Sequence, residues 1–70
     1  MEMTRLWRSK ALREVGYDVA SRVLRVEFLS GGRYDYLDVG PEVYDGLIHS
    51  EHPWTDWRDE VLRHEYRRLG

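Results

Sequence analysis

From Val23 to Val39 the chain alternates. Leu24, Val26 and Phe28 interleave with Val23, Arg25, Glu27 and Leu29, which is the period of a half-buried strand. Ser30, Gly31 and Gly32 supply a reversal, because glycine enters positive φ without steric cost. Tyr34 and Tyr36 then alternate with Arg33 and Asp35, so the stretch reads as a β-hairpin. Upstream, Ser9 to Asp18 contains a first strand, with Arg13, Val15 and Tyr17 on one face and Leu12, Glu14 and Gly16 on the other. Val15 and Tyr17 are the inward pair, and Asp18 to Ser21 is the turn that follows. Residues 1–8 show no period and read as an arm, with Leu6 and Trp7 apolar enough to dock.

Downstream the period changes to 3.6. Gly40-Pro41 starts a short helix to about His49, because proline suits the first helical position. That helix places Val43, Tyr44, Leu47 and Ile48 on one side, and Gly46 weakens it by about 1 kcal/mol relative to alanine. Ser50 to Pro53 breaks the chain. From Trp54, apolar residues at Trp57, Val61, Leu62, Tyr66 and Leu69 predict a long final helix, with Ser50 or Thr55 as its cap. Asp56, Asp59 and Glu60 in its early turns and Arg63, Arg67 and Arg68 in its late ones suit the helix dipole. The class is α+β: a three-stranded antiparallel β-meander followed by two helices packed on one face, one domain over 9–70 behind an arm over 1–8.

The hairpin loop decides where the tyrosines point. A two-residue Gly31-Gly32 turn pairs Leu29 with Tyr34 and sends both tyrosines to the face of Arg25 and Glu27, as an aromatic platform of the kind that stacks single-stranded bases. A three-residue Ser30-Gly31-Gly32 loop, with Gly32 in the left-handed position, pairs Phe28 with Tyr34 and puts the tyrosines in the core. One residue of register exchanges the two faces. The core reading is favoured because it leaves Arg33 and Asp35 in solvent.

Charge adds a segregation that the net −2 hides. Residues 1–33 hold seven basic groups against four acids; residues 34–60 hold eight acids against Arg58 alone; residues 61–70 hold three arginines against Glu65. Arg5, Arg8, Lys10 and Arg13 crowd one terminus and Arg63, Arg67 and Arg68 the other, so converging termini predict a phosphate-gripping patch. The chain has no cysteine, which excludes disulfides and thiolate–zinc sites and suits a reducing cytoplasm. No apolar run approaches the ~18 residues of a membrane span, and the charged start is not that of a signal peptide. Gly31-Gly32 lacks the lysine and helix of a phosphate loop, and no nucleophile–base pair or carboxylate pair stands out. His49, Glu51, His52 and Asp56 are ligand types, but Pro53 follows directly and their spacing fixes no helical face. They read as a solvated loop, and no metal or cofactor is assigned.

Ser9 and Leu12, then Val15-Gly16-Tyr17-Asp18, then Leu24, Val26, Phe28 and Gly31, the central Tyr34-Asp35-Tyr36, and Val39, Val43 and Tyr44 together resemble the KTSC domain. That small family is named for its place at the C-terminus of some lysyl-tRNA synthetases and also occurs as stand-alone bacterial and phage-type proteins. The resemblance covers roughly residues 9–66, ending on Leu62-Arg63 and Tyr66. It departs at Lys10, where a second serine is usual, at the displaced proline of Gly40-Pro41, and at Glu51 to Trp54, which replace a small Ser/Gly stretch. The resemblance implies a fold and a lean toward RNA.

The resulting expectation is a small, soluble, cytoplasmic, non-enzymatic binding module for RNA or single-stranded nucleic acid. Its site residues are Arg8, Lys10, Arg13, Arg25, Arg33, Tyr34, Tyr36, Arg63 and Arg67. The alternative is a protein-interaction module, accessory or phage-type, that uses the acidic segment 34–60 or an open sheet edge. Neither reading involves a membrane or defines an oligomeric state.

Overall fold

In the computed structural model, which describes residues 1–70, the chain forms strands β1 (Met3–Arg5), β2 (Leu12–Asp18), β3 (Val23–Phe28) and β4 (Arg33–Tyr36). Helices α1 (Pro41–His49) and α2 (Pro53–Val61) follow, and β5 (Tyr66–Arg68) closes the chain. The strands make one five-stranded antiparallel sheet in the order β1-β2-β3-β4-β5. The expected meander is its centre; each edge carries one further strand. No helix is long and apolar enough to cross a membrane.

Neither extra strand lies where the sequence pattern predicts one. Three residues of the expected arm pair with β2, Thr4 opposite Val15 and Arg5 opposite Glu14. Next to them, Leu6 is buried. The final helix stops at Val61, where the N–H groups of Arg63 and His64 turn back to Glu60 and Val61. Tyr66 to Arg68 then pair with β4, Tyr36 opposite Tyr66 and Asp35 opposite Arg67. The helical stripe through Tyr66 and Leu69 was coincidental: so short a segment also fits a period of two, and the unpaired backbone of β4 decides it. Arg67 and Arg68 are therefore strand residues, and Arg58 occupies the last turn of α2.

The β3–β4 hairpin keeps the favoured face but shifts its register. Val26 stands opposite Tyr34 and Leu24 opposite Tyr36, two residues from the expected pairing, so the parity of the faces survives. The loop is Leu29-Ser30-Gly31, closed by Phe28 N–H to Gly32 C=O at 2.8 Å, and Gly31 rather than Gly32 takes the positive φ of 105°. Asp35 does not reach solvent as expected; it is buried against Arg25 on the far side of the sheet. In β2 an irregularity between Leu12 and Glu14 lets Leu12 point inward together with Val15, so the simple alternation through Arg13 fails there.

The core unites Leu12, Val15, Leu24, Val26 and Tyr36 from the sheet with Val39, Val43, Leu47 and Val61 from the helical segment. Tyr17 donates its hydroxyl to the Val39 carbonyl and stacks on Tyr44, whose hydroxyl meets Thr4 at 2.9 Å. The two helices approach at Gly46, where a Cβ would lie 1.9 Å from Trp57 Cζ2. The helix propensity lost at Gly46 thus allows the Trp57 indole to lie against the α1 backbone. Neither helix has a side-chain cap; Ser50 bonds the His52 N–H and the Asp56 carboxylate instead. Because α1 lies over β2 and α2 meets β3 through Trp54 on Phe28, the helix-side face of β4 and β5 stays uncovered.

Candidate functional site

That uncovered half-face is an aromatic groove of about 480 Å³, lined by Phe28, Tyr34, Tyr36, Leu62, Tyr66 and Arg68. Period two in β4 places Tyr34 and Tyr36 side by side, and the register of β5 sets Tyr66 beside Tyr36 and Arg68 beside Tyr34. Tyr36 forms the buried floor, whereas Tyr66 is 61% exposed at the lip. Tyr34 meets Phe28 and Tyr66 edge-on, with centroids 5.7 and 5.6 Å apart, and Tyr36 lies 5.9 Å from Tyr66. The Arg68 guanidinium stands 5.6 Å from the Tyr34 ring centre, within cation–π range. Tyr17 and Tyr44 use their hydroxyls within the chain, but those of Tyr34, Tyr36 and Tyr66 have no partner there and are free to meet a ligand. Burial, then the neighbouring Tyr34 and Tyr66, hold the Tyr36 phenol above its ordinary pKa, so it is a neutral donor near pH 7.

His64 anchors the turn that leads into β5. Its Nδ1 must carry the proton to donate to the Leu37 carbonyl at 3.1 Å, and its Nε2 lies 3.4 Å from the Glu60 carboxylate. A second cavity, of about 310 Å³, is lined by Arg8, Lys10, His52 and Trp54 among others, and the Trp54 ring touches Phe28 of the groove.

The expected site residues are spread over five places in the fold. Tyr34 and Tyr36 are in the groove. Arg25, Arg33 and Arg67 lie on the opposite face of the sheet, where the register sets Arg25 and Arg67 against Asp35 and Arg33 against Glu27. Arg5 stands opposite Glu14 in the same way, so acids alternate with the arginines across this face, and Arg25 and Asp35 close into an ion pair. Arg13 is half-buried at the β2 irregularity. Arg8 and Lys10 line the second cavity, and Arg63 sits on the turn after α2, beside His64. The two basic termini do not converge. They occupy opposite edges of the sheet, about 19 Å apart at the usual strand spacing.

Sequence reasoning missed Tyr66, Arg68, Phe28 and Leu62 as groove residues. A signal existed in an aromatic set between Glu65 and two arginines, which is poor helix-core context and good edge-strand context.

The fold and groove define a class: a small α+β domain whose antiparallel sheet is roofed by two helices over one half of one face, with an aromatic groove on the other half. The model of the KTSC domain matches residues 8–66, and the chain belongs to that family. A KTSC domain protein from Yersinia pestis has the same fold, with a TM-score of 0.85 and 22% identity over 99% of this chain and 97% of that one. A protein of Tsukamurella paurometabola is 42% identical over 43 residues, which make up 61% of this chain and 64% of the relative. An uncharacterized protein of Stutzerimonas stutzeri is 44% identical over 43 residues, 61% of each. The matched stretch thus spans under two thirds of either relative's length.

Proposed function

We propose that this domain is a non-enzymatic, cytoplasmic module that binds single-stranded nucleic acid, RNA included, by stacking bases in the aromatic groove. One observation carries this reading: Tyr66 stands 61% exposed beside Tyr34 and Tyr36, with Arg68 over the Tyr34 ring. A face-exposed tyrosine with a neighbouring guanidinium gives a base a π surface and its phosphate a cation, and each stacked base is worth about 1–3 kcal/mol. The groove volume of about 480 Å³ falls within the range of small-ligand clefts. Phosphate contacts come from Arg68, not from the arginines of the opposite face, which stand among acids.

The test is a titration of labelled single-stranded RNA at low salt, followed by anisotropy. Tyr66→Ala and Arg68→Ala are each expected to weaken binding about tenfold, and affinity falls with a log–log salt slope of about −0.7 per phosphate contact. Absence of binding at low salt, where attraction is strongest, overturns the reading.

A second reading has its own observation. Glu65 and Leu69 direct their hydrogen bonds to β4, so Tyr66 and Arg68 turn their N–H and C=O groups outward at the sheet edge. That edge suits an added strand from a protein partner. Tyr66→Pro removes an outward N–H and discriminates this mode, because strand addition is lost while an unstructured RNA keeps its other contacts.

A further inference from the structure

We propose that the second cavity is a phosphomonoester site, and that, given the strand-binding reading above, it takes the terminal phosphate of the bound strand. The cavity of about 310 Å³ is lined by Arg8, Ser9, Lys10, His52, Trp54 and Thr55, and no carboxylate is among its lining residues. Arg8 and Lys10 belong to none of the ion pairs in the molecule, which engage Arg22, Arg25 and Arg63 instead. Asp56 of α2 accepts the Ser50 hydroxyl at 2.6 Å and does not line the cavity.

The loop that presents these cations is held in place. Ser9 Oγ accepts the N–H groups of Ala11 at 3.1 Å and Leu12 at 2.8 Å, and the Ser9 N–H returns to the Leu6 carbonyl. With its acceptor sites engaged, the Ser9 hydroxyl keeps its proton for an outside acceptor. The site thus offers two unpaired cations, a hydroxyl donor, the Thr55 hydroxyl and the His52 imidazole. An internal phosphodiester carries one negative charge. A monoester carries about −1.5 to −2 near neutral pH and presents three oxygens, which matches the two free cations.

Position links this site to the groove. Ring contacts run from Tyr66 to Tyr34 at 5.6 Å, from Tyr34 to Phe28 at 5.7 Å, and from Phe28 to Trp54 at 5.1 Å. Trp54 is a wall of the cationic cavity and Phe28 a wall of the groove, so one continuous aromatic line joins them. A strand stacked in the groove reaches the cavity with its end.

The experiment compares one RNA of about five nucleotides carrying a 5′-phosphate, a 3′-phosphate or hydroxyl ends, titrated by calorimetry against wild type, Arg8→Ala/Lys10→Ala and Arg68→Ala. One terminal phosphate is expected to raise affinity about tenfold in wild type and Arg68→Ala, and the gain disappears in Arg8→Ala/Lys10→Ala. Equal affinities for phosphate and hydroxyl ends, or a gain that survives in the double variant, overturn the proposal. In parallel, inorganic phosphate is titrated while the amide signals of Ser9 to Ala11 are followed by NMR. If no RNA binds but these amides shift saturably in wild type and not in the double variant, the phosphate site stands and the strand reading falls. If neither RNA nor phosphate binds, both fall. Arg8 and Lys10 are exposed, so an unchanged melting temperature shows that the variant is folded.

Discussion

Arg25 and Asp35 meet across β3 and β4 through two parallel hydrogen bonds, Nε to Oδ1 at 2.8 Å and Nη2 to Oδ2 at 3.0 Å. The Asp35 side chain is 4% exposed and the Arg25 side chain 38%. The Asp35 hydrogen bond, reinforced by its charge, holds the guanidinium pKa above its ordinary value against the opposing effect of burial. The central tyrosine pair of the groove therefore rests on a strand whose middle residue is clamped from the other face.

Removing one partner strands the other. Arg25→Ala leaves a buried carboxylate without its fork and is expected to cost about 2–3 kcal/mol, less than a fully buried pair because the guanidinium is partly solvated. Arg25→Val/Asp35→Val restores most of that stability, since an apolar cross-strand pair suits a sheet. Urea denaturation of both variants checks this; equal losses refute a paired role.

Gly46 and Trp57 give a sign reversal. On an isolated helix Gly46→Ala stabilises by about 1 kcal/mol. Here the added Cβ lies 1.9 Å from the indole, so overpacking of about 1–3 kcal/mol dominates and the melting temperature falls by about 5 °C or more. In a Trp57→Leu background the same change is nearly neutral. A thermal scan of the four-member cycle measures the coupling.

Tyr36 and Tyr66 are cross-strand partners with opposite duties. Tyr36→Ala opens the floor and is expected to cost about 3 kcal/mol or more. Tyr66→Ala, at an exposed lip, stays within about 1 kcal/mol of the parent while binding drops. Parallel melting and RNA titration separate the two. Val61→Asp, at a fully buried position on α2, prevents folding outright, which circular dichroism reports.

Alkaline stability follows from the raised Tyr36 pKa. The folded state keeps the phenol protonated at a pH where the unfolded chain has already released it. The contribution is complete below the unfolded value near 10 and is lost as pH rises from there through the folded value. Tyr36→Phe lacks this dependence, so its melting temperature falls less steeply above about pH 10 than that of the parent. Melting curves taken as a pH series measure the difference.

The arginines sort by their partners. Arg67→Ala is expected to leave RNA affinity within about twofold, because Arg67 faces Asp35 away from the groove, whereas Arg68→Ala weakens it about tenfold. Comparable losses in both point to a diffuse field of charge instead of the groove.

Much of the fold was legible along the chain. Alternation through Leu24, Val26 and Phe28 marks β3, Gly40-Pro41 marks the start of α1, and the stripe through Val43, Tyr44, Leu47 and Ile48 marks its inner face, all of which the structure holds. These features are set by backbone sterics and by side-chain period within a few residues. The face of Tyr34 and Tyr36 was legible too, because burial of one face tolerates a register shift of two residues but not of one.

What only tertiary structure decided is non-local. β1 and β5 exist because β2 and β4 present unpaired backbone, and no three-residue segment encodes that by itself. Asp35 is buried because Arg25 stands opposite it, a pairing set by which residue of the loop takes positive φ. The groove appears because α2 ends at Val61 and leaves β4 and β5 unroofed, while Tyr66, which the helical period assigned to the core, swings onto the sheet beside Tyr36. In each case a short segment of weak local preference takes the conformation that satisfies the hydrogen bonds and apolar surface of a distant one.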